Sequence, residues 1–455
     1  MSGPADGGPG EAGGALELPS GKAVTVAGGR ADRGGRPAVV KDGAPAPRPL
    51  SRNREYNLLW SANVFSQLGA QGTLIAYPLL VLALGGSALQ ASLVEFAIGG
   101  SRALAALPAG ALVDRWDRKK VLLFSELGRA VALGLLALSV AVGPGGFGVI
   151  MAVAVVEGVC TALFTTTDQA LLPSVVPRSQ LGTAVARNTA RYHLATVVGP
   201  GLGGMLYGAQ RLLPFLAQSV ASLVSFFMLL FLRMPQRPHT ASPEPREGML
   251  SAMRMGLRWL ATNRPIRTTV LVATAFNMVF SGLLLVVVVM AQQAGRPAGE
   301  IGAIGALLGA GGVVGAVLAP RFRHALTPYA ALMTLTWAAA VLVPLLAVVP
   351  LGYASGLVLA AMALLAPTAT TIVTTYQMVV TPDEMRGRLA GVIGVSMSAA
   401  SALGPLVGGV LLQTVGGTST VLVCTAALGA IALVVTLGRT VRAFPRLKEL
   451  EGPAT

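Results

Sequence analysis

The sequence GPGLGG at residues 199–204 returns as GPLVGG at residues 404–409, 205 positions further along the chain. The same offset lays GALVDRWDR at 110–118 onto GAVLAPRFR at 315–323. It also superposes single proline and glycine residues, Pro177 on Pro382 and Gly182 on Gly387. One register that spans both halves of the chain predicts a tandem duplication.

The composition predicts an integral membrane protein. Of 455 residues, 53% are hydrophobic and 12% are charged, which is more apolar surface than a soluble fold of this size can bury. Apolar runs of roughly 20 residues, long enough to cross a membrane as helices, lie at 57–84, 91–113, 120–142, 147–171, 182–208, 212–232, 266–293, 299–320, 327–350, 353–380, 387–414 and 417–438. We number them as predicted spans 1 to 12, six in each half. A duplicated all-α membrane chain of this kind is typical of a transporter.

The net charge of +15 is concentrated on one side of the predicted membrane domain. Lys and Arg residues follow the even-numbered spans, for example at Arg118, Arg254 and Arg321, whereas the opposite connections have few. The positive-inside rule then places both termini in the cytoplasm, in a multi-pass protein of the cell membrane. Basic residues spread over short loops also argue against nucleic-acid binding.

Composition divides the chain into five segments. Residues 1–50, rich in Gly, Ala and Pro, predict a disordered cytoplasmic tail. The N-terminal six-helix half covers 51–233 and the C-terminal half covers 266–440. Between them, 234–265 predicts a cytoplasmic linker whose basic amphipathic stretch lies on the membrane surface. Residues 441–455 predict a short cytoplasmic tail.

Two motifs resemble those of the major facilitator superfamily. GALVDRWDRKK at 110–120 resembles its signature loop between the second and third helices, and GPGLGG at 199–204 resembles the antiporter motif of its drug exporters. The match covers residues 52–440 and looks most like the branch of macrolide and siderophore exporters. The resemblance implies about twelve helices in two pseudo-symmetric halves. The sequence departs from the pattern at Asp117, where Gly is usual, and at Ala195, where the antiporter motif begins with Gly.

The signature loop predicts a gate on the cytoplasmic side. As the resemblance implies, Asp114 would face the N-terminus of span 11, where the partial positive charge of a helix stabilises a carboxylate. Arg118 would pair with Asp168 at the end of span 4. Gly110 and Arg115 complete the candidate gate. The alternative is a solvated turn that only sets the topology.

Ionisable residues inside a span are costly unless they are paired or hydrated, so we expect them to have a function. Glu157 lies near the middle of span 4, and Arg191 of span 5 is its expected counter-ion. A carboxylate in this setting can exchange a proton when its partner moves away, which predicts proton coupling; a permanent structural ion pair is the alternative. Neither Glu157 nor Asp114 has an acidic counterpart in the second half, where Met362 and Ala319 stand.

Glycine and proline in spans 5 and 11 predict bent helices in close contact. Proline removes a backbone donor, and glycine removes the side chain that would keep two helices apart. The residues concerned are Gly199, Pro200, Gly203, Gly204, Gly404 and Pro405. They would shape and seal a pathway without touching a substrate, and ordinary small-residue packing is the alternative.

Polar stripes predict which spans line a central cavity. In the superfamily that the chain resembles, the first helix of each three-helix unit lines the cavity, which means spans 1, 4, 7 and 10. The candidate contacts on these spans are Asn63, Gln67, Gln71, Thr161, Asn277, Ser281, Thr371 and Thr374. Aromatic residues expected beside them are Trp60, Tyr77, Phe164, Phe276 and Phe280. Such a cavity would suit a bulky, mostly apolar molecule with a few polar groups; hydrogen bonding between helices is the alternative.

Together these features predict a proton-driven exporter of drug-like, macrolide-like or siderophore-like molecules that works by alternating access. Its partners would be the small-molecule substrate, protons and membrane lipid, and it would act as a monomer. An importer or lipid-type flippase on the same fold, or a non-transporting membrane sensor, is the alternative. The sequence has no phosphate loop or Cys/His cluster, so we predict no enzyme activity, no cofactor and no metal site.

Overall fold

The fold is a bundle of long helices. The computed structural model describes residues 49–143, 146–233, 249–322 and 326–438. Within these ranges the α-helices are α1 Arg54–Ala83, α2 Ala88–Arg115, α3 Arg118–Val142, α4 Phe147–Val175, α5 Leu181–Ala209, α6 Leu213–Leu230, α7 Met249–Thr262, α8 Arg264–Gln293, α9 Ala298–Phe322, α10 Pro328–Leu342, α11 Tyr353–Val380, α12 Asp383–Val415 and α13 Gly417–Leu437. Short 3-10 segments lie at Leu50–Arg52, Arg178–Gln180 and Val343–Ala347.

The predicted all-α membrane fold is confirmed. Helices α1 to α6 coincide with spans 1 to 6, and α8 to α13 coincide with spans 7 to 12. Ten of the described helices are long and apolar enough to cross a membrane. Helices α2 and α5 are equally long but more polar, because their interiors contain charged residues such as Glu95 and Arg191.

The duplication is visible in the backbone. Gly85 lies in the turn after α1 with φ 81°, and Gly295 lies in the turn after α8 with φ 72°. The amide of Gly85 donates to the Leu82 oxygen at 3.1 Å, and that of Gly295 donates to the Gln292 oxygen at 2.9 Å. Because a positive φ strains other residues, glycine ends the helix at both places.

The motif glycines bring two helices of the same half into backbone contact. A Cβ at Gly203 of α5 would overlap the Gly72 oxygen of α1. In the second half, a Cβ at Gly408 of α12 would lie 2.9 Å from the Gly282 oxygen of α8. The same close packing therefore recurs in both copies, and only glycine permits it.

The next glycine in each motif joins the two halves. A Cβ at Gly204 of α5 would lie 2.6 Å from the Gly302 Cα of α9, and one at Gly409 of α12 would overlap the Ser92 side chain of α2. These contacts lie at the end of the bundle where α2 and α9 begin, which we call the apex. The opposite end, where α1 and α5 begin, is the base.

The apolar core closes the apex and leaves the base divided. One buried cluster combines both halves, with Leu80 of α1, Val286 of α8 and Ile304 of α9 among its members. Nearer the base, buried clusters belong to one half only, such as the cluster around Leu59 in the first half and that around Ile372 in the second. The halves therefore meet at the apex and separate toward the base.

Parts of the predicted tails and linker lie outside the described residues, namely 1–48, 234–248 and 439–455. The described part of the linker forms α7, which packs on α12: a Cβ at Gly256 would lie 2.9 Å from the Arg388 oxygen. The boundaries of the five segments, and the position of the linker on the membrane surface, stay predictions.

Gly203→Ala is expected to lower thermal stability, whereas Gly208→Ala in the same helix is expected to be tolerated. The first substitution forces a methyl group into the α1 backbone, and overpacking of this kind costs about 1–3 kcal/mol. A Cβ at Gly208 would meet its nearest neighbours at 3.8 and 3.9 Å, an ordinary contact. The check is the unfolding temperature of both variants in one detergent, and equal temperatures would contradict the close contact.

Candidate functional site

A cavity of about 310 Å³ lies between the two halves, beneath the closed apex. Its wall combines α1 and α5 of the first half with α8, α9 and α11 of the second, and includes Gln71, Tyr192, Thr196, Phe280, Leu308 and Ala366. Both halves therefore contact anything held there. We call this space the central cavity.

A second cavity of about 330 Å³ lies in the second half, among α8, α10, α11 and α12. It shares Phe280 and Ala366 with the central cavity, so the two are adjacent. The rings of Phe276 and Phe280 stack in its wall with centroids 6.0 Å apart. The wall is mainly apolar with a few polar groups, which suits an amphipathic molecule.

Three of the predicted cavity residues line these spaces. Gln71 lies in the wall of the central cavity, and Asn277 and Thr374 lie in the wall of the second cavity. The Asn277 Oδ1 accepts a hydrogen bond from the Ser401 hydroxyl at 2.9 Å, which orients the amide. Whether these side chains contact a substrate stays a prediction.

The other predicted cavity residues lie elsewhere. Asn63 and Ser281 pack between helices, Gln67 and Thr161 are half-buried outside both cavities, and Thr371 is exposed. Ser281 lies where a Cβ at Gly404 would have to go. Of the aromatic set, Tyr77 and Phe164 are buried in the first half and line neither cavity. Asn63 and Ser281 thus lie at contacts between helices, and for all of these positions a contact with a substrate stays a prediction.

Glu157 is buried at the junction of α1, α2, α3 and α4, but Arg191 is not its partner. The Tyr77 hydroxyl of α1 donates to the Glu157 Oε2 at 2.5 Å. Glu157 also interacts electrostatically with Arg129 of α3 and with Glu95 of α2. The expected ion pair with Arg191 is therefore replaced by a neutral donor and a different cation.

Arg191 interacts instead with Asp168, and helix geometry explains why. At about 1.5 Å per residue, Asp168 stands ~10 Å above the base and Arg191 stands ~15 Å above it. Glu157 follows ten residues after α4 begins at the apex, so it lies far above both. The Asp168 carboxylate also accepts from the Asn63 Nδ2 at 3.0 Å. Three helices of the first half are thus held together by one polar cluster near the base.

A second buried cluster links α1 and α3. The Ser66 hydroxyl donates to the Glu126 Oε1 at 2.7 Å, and the Arg129 Nη1 donates to the Ser66 Oγ at 2.8 Å. Arg129 and Glu126 lie 3.4 Å apart with side chains 2% and 0% exposed. This ion pair, three residues apart on α3, is therefore buried inside the first half.

The signature loop is held to the base by helix termini. Arg118 does not pair with Asp168; its Nη1 donates to the Ala170 oxygen at 3.0 Å, near the end of α4. The Lys119 Nζ donates to the Leu230 oxygen at the end of α6, at 2.7 Å. Both carbonyl groups lie in the C-terminal part of a helix, where the partial charge is negative and favours a cation.

Of the remaining gate residues, the structure describes the surroundings of Arg115 and Gly110 only. Arg115 is exposed at the end of α2. A Cβ at Gly110 would meet no described residue within 4 Å, and the same holds at Gly387 near the start of α12. The Asp114 side chain lies outside the described residues. The gating roles of this loop stay predictions.

The predicted motif residues of α5 and α12 are all buried, namely Gly199, Pro200, Gly203, Gly204, Gly404 and Pro405. Gly199 faces the Leu68 oxygen of α1, and Gly404 faces α8 in the equivalent way. Pro200 and Pro405 are buried within their helices. A Cβ at Gly305 of α9 would lie 2.6 Å from the Pro200 Cβ, so Pro200 contributes to the joint between halves.

Two similar six-helix halves, joined at one end of a central cavity, define the architecture of a secondary transporter. The profile of the transmembrane secretion effector family matches residues 45–450. The chain therefore belongs to this family of the major facilitator superfamily, whose members are transporters and not enzymes. As expected for that class, it is a multi-pass membrane protein that acts on a small molecule.

Named relatives and solved structures agree with this assignment. The enterobactin exporter EntS of Salmonella typhi is 25% identical over 347 residues, which cover 76% of this chain and 82% of the relative. EntS of Escherichia coli O1:K1 / APEC is 24% identical, with 76% and 81% covered. An inward-facing, unoccupied bacterial homologue of the lysosomal transporter Spinster has the same fold, with a TM-score of 0.67, 15% identity, and coverage of 86% of this chain and 98% of that one. The nucleoside transporter NupG gives a TM-score of 0.65 at 13% identity, with 87% and 100% covered.

Proposed function

We propose that the chain is a proton-coupled exporter of small amphipathic molecules, of the drug, macrolide or siderophore type. It would work by alternating access, as a monomer in the cell membrane. The observation that carries the proposal is the buried Glu157 carboxylate, hydrogen-bonded to Tyr77 of α1. The name of the relatives, enterobactin exporter, supports the outward direction.

The division of the apolar core supports alternating access. The apex is sealed by contacts between the halves, and the base is divided. Basic residues such as Arg118 and Lys119 lie at the base, which by the positive-inside rule supports a cytoplasmic base with both termini on that side. A molecule in the central cavity would then enter from the cytoplasm and leave when the apex opens.

The surroundings of Glu157 support proton coupling. A single proton converts this carboxylate from an acceptor into a potential donor. It also removes a negative charge that faces Glu95 of α2 and Arg129 of α3. Because Tyr77 lies on α1, the helix that brings Gln71 to the central cavity, a change at Glu157 can act directly on the cavity wall.

Glu157→Gln is expected to lower pH-driven export by at least about tenfold. Glutamine keeps the size of the side chain but cannot ionise, so the proton-dependent step is lost. The measurement is uptake of a fluorescent dye into everted vesicles, driven by an imposed gradient with an acidic interior. Exchange of dye at equal pH on both sides should continue, because the binding walls are unchanged.

Glu300→Gln is the matched control, because Glu300 lies in the first turn of α9 at the apex and pairs with Arg296 across 4.0 Å. It should leave pH-driven export within about twofold of the parent chain, as surface ion pairs contribute little. If export by Glu157→Gln remains fully pH-driven, Glu157 is not the residue that couples export to protons. A parent chain that moves no dye in response to pH would defeat the antiport proposal.

A further inference from the structure

A groove of about 610 Å³ lies between the lower parts of α1 and α5, apart from the central cavity. On α5 its wall is formed by Arg187, Arg191, Leu194 and Val198, which follow at steps of four, three and four and so share one face of the helix. The central cavity is lined by a different face of α5, which includes Tyr192 and Thr196. The groove is therefore a separate site.

The groove faces the lipid. Leu194 in its wall is 64% exposed, and the same face of α5 continues toward the apex with Leu202 and Met205, which are 41% and 66% exposed. Large apolar side chains exposed in a continuous row on a membrane helix are covered by hydrocarbon. An occupant of this groove would thus be part of the bilayer, or reach it through the bilayer.

The groove changes from polar to apolar along its length. Both helices begin at the base, so residue numbers rise from the membrane surface toward its centre. The lower part of the wall contains Asn57 and Arg187, with Trp60 and Arg191 above them. The upper part contains only apolar side chains, namely Val64, Leu68, Leu194, Ala195 and Val198. This gradient matches a molecule with a polar head at the surface and an apolar chain beyond it.

The lower part carries positive charge and unused hydrogen-bond donors. Within the described ranges Arg187 has no carboxylate at ion-pair distance, and Arg191 has only the more distant Asp168. The Arg191 Nη1 makes a long hydrogen bond to the Trp60 oxygen at 3.4 Å. The Arg191 Nε and the Trp60 Nε1 are buried without an acceptor. Buried donors normally find a partner, so an anionic oxygen is the group that this wall lacks.

We infer that the groove binds an anionic phospholipid of the leaflet at the base. The phosphate lies against Arg187 and Arg191, and one acyl chain follows Val64, Leu68 and Leu194 toward the membrane centre. Tryptophan at the level of the headgroups and basic side chains near an anionic leaflet are both typical of such contacts. The two buried donors gain acceptors when their side chains turn toward the headgroup.

Brominated lipids test this binding directly, because bromine quenches a tryptophan that it touches. Trp116→Phe, Trp259→Phe and Trp337→Phe leave Trp60 as the single reporter. The chain is reconstituted in phosphatidylcholine vesicles that contain brominated phosphatidylglycerol or, separately, brominated phosphatidylcholine. We expect phosphatidylglycerol to quench Trp60 at a lower mole fraction than phosphatidylcholine does. The difference should be about fivefold for each arginine that contacts the phosphatidylglycerol headgroup.

Arg187→Gln should lower the preference for phosphatidylglycerol over phosphatidylcholine about fivefold. Arg178→Gln is its matched control. Arg178 starts the 3-10 segment before α5 at the same end of the bundle, but it does not line the groove. Equal loss in both variants would mean diffuse attraction to the vesicle surface and would overturn the site. Equal quenching of Trp60 by the two lipids in the parent chain would overturn it as well.

Two further measurements distinguish a bound lipid from other occupants of the groove. Inorganic phosphate in the buffer should not relieve the quenching; relief would assign the wall to a soluble anion and overturn the inference. Strong quenching by aqueous acrylamide, without quenching by lipid, would place the groove on the water-filled pathway and overturn it too. If the triple tryptophan variant does not fold, native mass spectrometry of the unaltered chain, in equal amounts of the two lipids, gives the same preference and the same Arg187→Gln comparison.

Discussion

Oxidation of a chain that carries Gly208→Cys and Ala298→Cys is expected to abolish transport almost completely, and reduction is expected to restore it. A Cβ at Gly208 of α5 would lie 3.8 Å from the Ala298 Cβ of α9. That is the usual separation of the two Cβ atoms in a disulfide. The bond would tie the two halves together at the apex, where alternating access requires them to part.

The experiment needs a background without the native thiols, so Cys160 and Cys424 are replaced by alanine first. Dye uptake into everted vesicles is compared before oxidation, after oxidation and after reduction. Each single cysteine variant should transport equally under all three conditions. A fully crosslinked chain that still transports would show that the apex does not open at this contact, and the assignment of the joint between the halves would be wrong.

The helices of the bundle were predicted well because two strong sequence signals determine them, the length of the apolar runs and the repeated glycine motif. The length of an apolar run is set by the membrane thickness, and span 10, predicted at 353–380, is α11 with the same bounds. The repeat of GPGLGG predicted equivalent contacts, and Gly203 and Gly408 make them. Span 9 was less regular, because its second part is the 3-10 segment Val343–Ala347.

The partners of the buried charges were harder to predict. The sequence places Glu157 and Arg191 near the middle of neighbouring helices, but it does not state how deep each one lies. Counting the helical rise from each end would have favoured Asp168 for Arg191. Nothing in the sequence marked Tyr77 as the donor to Glu157, since an aromatic residue in a span is more often plain core.

Polar stripes were ambiguous for a related reason. A polar side chain inside a membrane helix gains from water and from a neighbouring helix alike. Asn277 and Ser281 are one turn apart on α8, yet the first lines a cavity and the second packs against Gly404. Whether a polar side chain lines a cavity or packs against a helix depends on where the neighbouring helices lie. The sequence of a single helix does not contain that information.

Glu126→Leu is expected to prevent stable folding of the first half. The Arg129 guanidinium, 2% exposed, would lose the carboxylate that lies 3.4 Å away and keep only the more distant Glu157. Removing one member of a buried ion pair costs about 3–5 kcal/mol, because the other charge stays buried without compensation. The measurement is the yield and unfolding temperature of the purified chain, and both should fall sharply.

Adding Arg129→Met should recover most of the lost stability, because apolar residues of similar volume can replace both members of a buried pair at little cost. If the double variant is as unstable as Glu126→Leu, the loss comes from packing around Ser66 and not from the unpaired charge. The double variant should nevertheless remain poor in pH-driven export, since Arg129 is also the cation beside Glu157. Recovery of folding without recovery of coupling would separate the two roles of this arginine, one that holds α1 to α3 and one that sets the charge around the proposed proton site.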